Sequence, residues 1–231
     1  MNSSWIDIST RAGETFAGYL SLPPTGSGPG IVLVQEIWGV NQHIRAVADQ
    51  YALAGYVVLA PDVFWRQEPR VDLDYDQAGS ARAFELYRQV DTAEAALDVA
   101  DALSALRALP QVSGKVATLG FCLGGQLAYR AGVIGKADAI VSYYGGGIDQ
   151  HLDLAAQVTQ PILFHYATED AHISRQAVQQ VKHAFAGKTN AEFYDYAGCE
   201  HGFNCWGRPM YRQAASALAM AHTLEFLARN L

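Results

Sequence analysis

Six short runs of apolar, largely β-branched residues recur along the chain: IVLVQ (31–35), YVVLAP (56–61), KVATLG (115–120), AIVSYY (139–144), PILFHYA (161–167) and AEFYDY (191–196). Most are apolar at successive positions, so both faces of each strand must be covered, which is the pattern of a central parallel sheet. Parallel neighbours need crossovers of a dozen or more residues. Helical patterns at about residues 41–54, 91–108, 123–132, 174–186 and 209–231 supply them. The fold class expected is therefore α/β, a mostly parallel, doubly wound sheet with helices on both faces.

The opening stretch departs from that rhythm. WIDIS and ETFAGYLSLP read as alternating strands separated by the turn RAG, so an antiparallel ribbon is expected ahead of the parallel core. Residues 62–79, rich in acidic, Gln, Arg and Pro residues, are weakly periodic and read as a long loop over the sheet edge, where functional lids are often found. No repeat, low-complexity tract or linker divides the sequence. With 231 residues and 50% hydrophobic composition, residues 1–231 can bury the core of one α/β domain.

The formal net charge of −7 is spread along the chain, which excludes the basic footprint of a nucleic-acid or anionic-membrane binder. MNSSWIDIST has no basic region ahead of an apolar one, and no apolar stretch approaches the roughly 18 residues that span a bilayer. A cytoplasmic protein with a small-molecule substrate is expected, and a monomer. The odd set Cys122, Cys199 and Cys205 argues for free thiols rather than disulfides. Cys199, His201 and Cys205 lie close in sequence, but no second Cys or His pair completes a tetrahedral set, so no metal is expected.

GFCLGG (120–125) follows KVATL directly. In a strand-to-helix elbow the reactive side chain occupies a strained turn, and the residues two before and two after it must be small for strand and helix backbones to approach. Gly120 and Gly124 hold those positions around Cys122. At the start of the next helix, free N–H groups and the positive dipole end favour a thiolate and a developing oxyanion. Cys122 is the expected nucleophile, against the plainer reading of a small residue in a tight turn.

A thiol nucleophile needs a base, and the base an orienting carboxylate. Asp170 closes PILFHYATED, and His201 lies in AGCEHGF after AEFYDY, which is the chain order of α/β-hydrolases. His165 falls in a strand, and His183 and His222 in helices, where they are poorly placed. His172 competes, but it shares a loop with Asp170 and cannot easily stand between that acid and a distant elbow. Glu169 rivals Asp170, and Asp195 lies within a strand. Glu36, in QEIWGVN after IVLVQ, stands either as a surface turn residue or on the strand-end edge where α/β ligands bind. The backbone N–H groups of Ile37 and Leu123 are the expected oxyanion donors.

From about Ile31 onward the sequence resembles the dienelactone hydrolase family. The carriers are QEIWGVN (35–41), GYVVLAPDVF (55–64), AFELYRQVD (83–91), GFCLGG, FHYATED and HGFNCWGRPMY (201–211). The resemblance implies the α/β-hydrolase fold and a Cys122, Asp170, His201 triad. It also implies that Glu36 contacts the resting thiol and shifts on substrate binding, sparing Cys122 from adventitious oxidation. The reaction implied is thiolate attack on a lactone carbonyl, loss of an enolate and hydrolysis of the thioester, with dienelactone (carboxymethylenebutenolide) giving maleylacetate. No cofactor is required.

The family holds its substrate carboxylate with two arginines, whose positions here carry Ser80 and Cys205. Arg82 and Arg208 are displaced candidates for that task, and equally candidates for solvated surface residues. Trp38, Phe84, Tyr87 and Phe203 match pocket-lining positions and Tyr144 lies near the active edge, though aromatic residues dominate cores as well as pockets. Other readings are a broader esterase or lactonase on a small activated ester, a glutamine amidotransferase, whose pattern lacks QEIWGVN, or a non-catalytic α/β-hydrolase-like binder of a small ligand.

Overall fold

The computed structural model describes residues 2–231. Its strands are β1 (Asn2–Ser9), β2 (Thr15–Leu22), β3 (Gly28–Val34), β4 (Val57–Pro61), β5 (Val112–Phe121), β6 (Ala139–Tyr143), β7 (Ile162–Ala167) and β8 (Ala191–Tyr196). They form one sheet in the order β1-β2-β4-β3-β5-β6-β7-β8. Pairing is parallel from β4 through β8, while β1, β2 and β4 run antiparallel to one another in turn. The ribbon expected at the start is thus the sheet's first edge. Its partner β4 is shielded by it, and all five residues of β4 are buried.

The helices are α1 (Gln42–Leu53), α2 (Gln77–Tyr87), α3 (Thr92–Ala108), α4 (Leu123–Ile134), α5 (Arg175–Ala184) and α6 (Gln213–Asn230). Three starts were written in the sequence as caps, because a short polar side chain can accept from the helix's unpaired first N–H groups. Asn41 accepts from the N–H of Ile44, Asp91 from those of Ala93 and Glu94, and Ser174 from that of Ala177.

Three segments differ from expectation. α2 begins inside the stretch read as a loop, with Asp76 accepting from the N–H of Gly79; only Gly79, Ala83 and Leu86 are buried, too thin a stripe to give a clear period. α6 starts at Gln213 rather than 209, because residues up to Tyr211 close turns such as Arg208 N–H to Cys205 C=O. A 3₁₀ stretch, Ile148–Gln157, was not anticipated; it is broken at His151 and buries only Ile148 and Ala155.

The core is centred on β3 and β5, where Ile31, Val32, Leu33, Val34, Val116, Ala117 and Leu119 are fully buried. Behind β6 and β7 a closed polar chain ties α6 to the sheet. The Tyr143 hydroxyl and Thr223 Oγ1 lie 2.6 Å apart, and His165 bridges Thr223 at 3.0 Å and the Tyr196 hydroxyl at 2.8 Å. Burial, and then the proximity of the His222 ring, holds the His165 imidazole well below its ordinary range, hence neutral. Its role is packing, as its place within a strand predicts. Among the described residues no helix is long and apolar enough to cross a membrane.

Candidate active site

β5 runs into α4 through a single residue. Cys122 has φ 56° and ψ −119°, a region that costs a side-chain-bearing residue energy and persists only where its surroundings dictate it. Here they do. The Cys122 N–H donates to the Tyr143 carbonyl at 3.0 Å, fixing the turn to the next strand. A Cβ on Gly120 would collide with the carbonyl oxygen of Gly124, and one on Gly124 with the carbonyl oxygens of Val34 and Gln35. The glycines flanking Cys122 are therefore required by backbone contact, as the elbow pattern predicts.

β7 and β8 bring up the other two residues. His201 Nδ1–H donates to Asp170 Oδ2 at 2.8 Å, with side-chain exposures of 7% and 2%. The second oxygen, Asp170 Oδ1, accepts the backbone N–H groups of His172 (2.8 Å) and Ile173 (3.0 Å). The carboxylate is thus aimed by its own loop, which leaves one oxygen for the imidazole. Burial disfavours the His201 imidazolium, but the neighbouring Cys122 thiolate and the Asp170 carboxylate outweigh it and raise its pKa to about 10. That favours the protonated imidazole at neutral pH.

The rivals fall elsewhere. Glu169 reaches out to Arg175 at 3.5 Å, and Asp195 pairs with Lys182 on the far side. His172 does stand in the site, its ring 4.8 Å from that of His201 in an edge-on arrangement. Burial and the His201 charge lower its pKa, so it is a neutral neighbour of the paired imidazole. Ile37 and Leu123 border the same cavity as Cys122, and neither N–H has a backbone acceptor among the described residues. Two unpaired donors facing one thiol can bind an oxyanion.

Glu36 is almost fully buried, and its hydrogen bonds differ from those implied by the family resemblance. Its Oε2 accepts from the Tyr75 hydroxyl and its Oε1 from Arg208 Nη1, each at 3.2 Å. The described structure contains no Glu36 hydrogen bond to Cys122; the thiol lies toward His201. Glu36 is paired with Arg208 instead. Displaced in sequence from the position that Cys205 holds, it still folds back into the site, its guanidinium 4.7 Å over the Trp38 ring and close over Gly202. Glu36, His43 and Cys205 bring potential ligand atoms within 4.8 Å of one another. The cation on Glu36 opposes a metal there, and burial, then the Glu36 charge, push the Cys205 thiol up to about 12.

A cavity of about 510 Å³ opens from Cys122, His201 and Arg208 toward the end of α2 and the start of α3. Trp38, Phe84 and Tyr87 line it, as expected, with Phe84 and Tyr87 41% and 42% exposed at its mouth. Three expected lining residues do not reach it. Tyr144 and Phe203 are fully buried, the Tyr144 ring 5.0 Å from the His201 imidazole and 5.5 Å from the Phe203 ring; Tyr144 packs against His201. Arg82 points to solvent, held by Glu68 at 2.6 Å and Glu85 at 3.1 Å, because two residues along a helix turn a side chain to the opposite face. Tyr75 went unnoticed in the sequence because it lies in the stretch read as a loop. Gln126 on the first turn of α4, and Thr92 at the start of α3, also border the cavity. A polar residue four positions after Cys122, on a helix otherwise buried, was the available signal.

Comparison with known proteins addresses the family and the fold. Residues 16–231 match the sequence model of the dienelactone hydrolase family. The chain is 34% identical over 229 residues to carboxymethylenebutenolidase 1 of Cupriavidus pinatubonensis, covering 99% of this chain and 97% of that protein. It is also 34% identical over 231 residues to the carboxymethylenebutenolidase of Pseudomonas sp. strain P51, covering 99% and 96%. Among solved structures, a dienelactone hydrolase-like promiscuous phosphotriesterase from metagenomic libraries superposes with a TM-score of 0.82 at 23% identity, over 100% of this chain and 99% of that one. The dienelactone hydrolase of Anabaena variabilis does so with a TM-score of 0.75 at 18% identity, over 100% and 98%; both likenesses bear on the fold. The chain belongs to the dienelactone hydrolase family and is an ester hydrolase with the α/β-hydrolase fold.

Proposed function

We propose that this protein opens the ring of a small lactone, dienelactone to maleylacetate, through a thioester on Cys122. The observation that carries the reading is the elbow thiol beside an imidazole whose Nδ1–H is held at 2.8 Å by buried Asp170. The Cys122 thiolate attacks the lactone carbonyl, forming the C–S bond, while the carbonyl oxygen takes its negative charge between the N–H groups of Ile37 and Leu123. Collapse of that adduct breaks the ring C–O bond. The electron pair leaves on the enolate oxygen, and the His201 imidazolium supplies its proton. Neutral His201 then takes a proton from water, whose oxygen attacks the thioester; the C–S bond breaks and the thiolate returns. An enolate leaves easily, so a thiolate suffices as nucleophile.

A broader reading, an esterase or lactonase on other small activated esters, is favoured by one observation. The positions at which the family resemblance implies arginines hold Ser80 and Cys205, and Arg82 lies outside the cavity. Assaying wild type and Cys122→Ala on dienelactones and on activated phenyl esters tests both readings. Turnover of dienelactone by the wild type alone supports the first, and turnover of phenyl esters only supports the second. Equal activity in the Ala variant would overturn the thioester mechanism.

A further inference from the structure

Two rings pack against the His201 imidazole, and they differ in what lies beyond them. Tyr144 stands 5.0 Å away and is fully buried, so that contact is closed to solvent. His172 stands 4.8 Å away, edge-on, and borders the cavity together with Cys122, Leu123 and His201 itself. Asp170 occupies His201 Nδ1, which leaves Nε2 as the proton-transfer atom. Water reaches that atom from the cavity, the space that His172 also lines.

The loop that aims the triad carboxylate also places His172. The backbone N–H groups of His172 and Ile173 donate to Asp170 Oδ1 at 2.8 Å and 3.0 Å, so the group that orients His201 fixes the backbone from which the His172 ring projects. The ring itself makes no hydrogen bond to another of the described residues. Burial, then the His201 charge, lower its pKa. At neutral pH it therefore carries one N–H and one free lone pair. Arg208, the cation on the same cavity, is paired with Glu36 and has only donors to offer.

The second half of the proposed reaction makes a demand that the first does not. Acylation uses no water, whereas thioester hydrolysis needs one whose oxygen lone pair is aimed at the acyl carbon. Such a water has two O–H groups. One gives its proton to His201 Nε2, and the other needs an acceptor if the molecule is not to rotate about that single hydrogen bond. We infer that the His172 imidazole accepts this second O–H and so positions the water that hydrolyses the Cys122 thioester. The water oxygen bonds to the acyl carbon as its first proton passes to His201, and the C–S bond breaks with its electron pair on sulfur. The second proton stays with the product acid, which ionises in solution, and His172 ends as it began. The inference rests on the thioester reading of Cys122 and adds to it a residue that serves the water step alone.

The test separates the two steps with para-nitrophenyl trimethylacetate, whose hindered acyl group slows thioester hydrolysis enough for the acyl-enzyme to accumulate. Stopped-flow release of nitrophenolate reads acylation, and loss of acylated protein by intact mass spectrometry reads deacylation. In His172→Phe, which keeps a ring but no acceptor, the ratio of deacylation to acylation rate constants should fall about tenfold, as loss of one hydrogen bond to the reacting water requires. His172→Gln, whose side-chain oxygen can still accept, should recover the ratio to within about threefold of wild type. His172 is exposed, so both variants should keep the wild-type melting temperature. A ratio unchanged within about twofold in His172→Phe, or as low in His172→Gln as in His172→Phe, overturns the inference while acylated Cys122 still upholds the thioester reading. Absence of acylated Cys122 in the wild type refutes that reading, and the inference with it.

Discussion

The two walls of the cavity are built to different standards. On one side, Cys122 sits in a turn that no Cβ at 120 or 124 could share, and His201 and Asp170 are 7% and 2% exposed. On the other, α2 presents Phe84 and Tyr87 41% and 42% exposed and lets Arg82 reach away to two glutamates. Groups that make and break bonds must hold position to fractions of an ångström, so they are locked by backbone contact and burial. The α2 side chains that border the cavity, proposed here to choose among substrates, stand on a thin, half-exposed helix that can vary without disturbing the core.

The sharpest way to break the comparison is at the elbow. Cys122→Ala should reduce ester hydrolysis at least about a thousandfold while leaving the circular-dichroism spectrum unchanged, because in the proposed mechanism the whole reaction passes through that sulfur. A milder loss would mean that the rigid wall is not the reactive one. Next comes stability. Arg208→Gln should lower the unfolding free energy by about 3 kcal/mol in denaturant titration, since it leaves Glu36 buried without its cation. Arg82→Gln, an exposed pair, should not move the melting temperature measurably.

The His201 titration gives a further measure. In wild type the imidazolium should persist until the pH rises toward about 10. The pair's contribution to stability is then complete below the unfolded value near 6.5 and is lost as pH climbs through the folded one. Since the Cys122 thiolate heads the causes that raise it, Cys122→Ala should bring the transition down; nuclear magnetic resonance of the His201 ring protons reads this directly, and an unmoved titration refutes the pairing. The smallest effect belongs to the loose wall: Phe84→Ala should raise KM about threefold, roughly what trimming a half-exposed contact removes, with the melting temperature hardly changed.

This asymmetry also explains what was legible in the sequence. The elbow could be read because backbone sterics admit few residues there, so GFCLGG announces its geometry. The order Cys122, Asp170, His201 followed from strand ends that the apolar runs already marked. The helical patterns starting near residues 41, 91 and 174 were legible, and the structure starts each at a local cap, Asn41, Asp91 and Ser174. AFELYRQVD carried a helix pattern, but the start of α2 was hidden by its small buried face, and with it went Tyr75, whose hydrogen bond to Glu36 is a contact 39 residues apart in sequence. The fates of Arg82 and Arg208 were likewise undecidable by spacing. One is turned outward by helix phase, and the other is returned by turns following His201 that have no periodic signature. Tyr144 and Phe203 could not be told from pocket residues because core and cavity share the same aromatic chemistry.

The strand order has a consequence in time as well as in space. Glu36 follows β3, Cys122 follows β5, Asp170 follows β7 and His201 follows β8, the last strand at the sheet's edge. Contacts this far apart in the chain close late in folding. During synthesis the sulfur is laid down well before its imidazole, and a chain arrested ahead of β8 would carry a cysteine with no base. In the proposed mechanism the docking of β8 against β7 therefore completes the site, since His201 follows that strand.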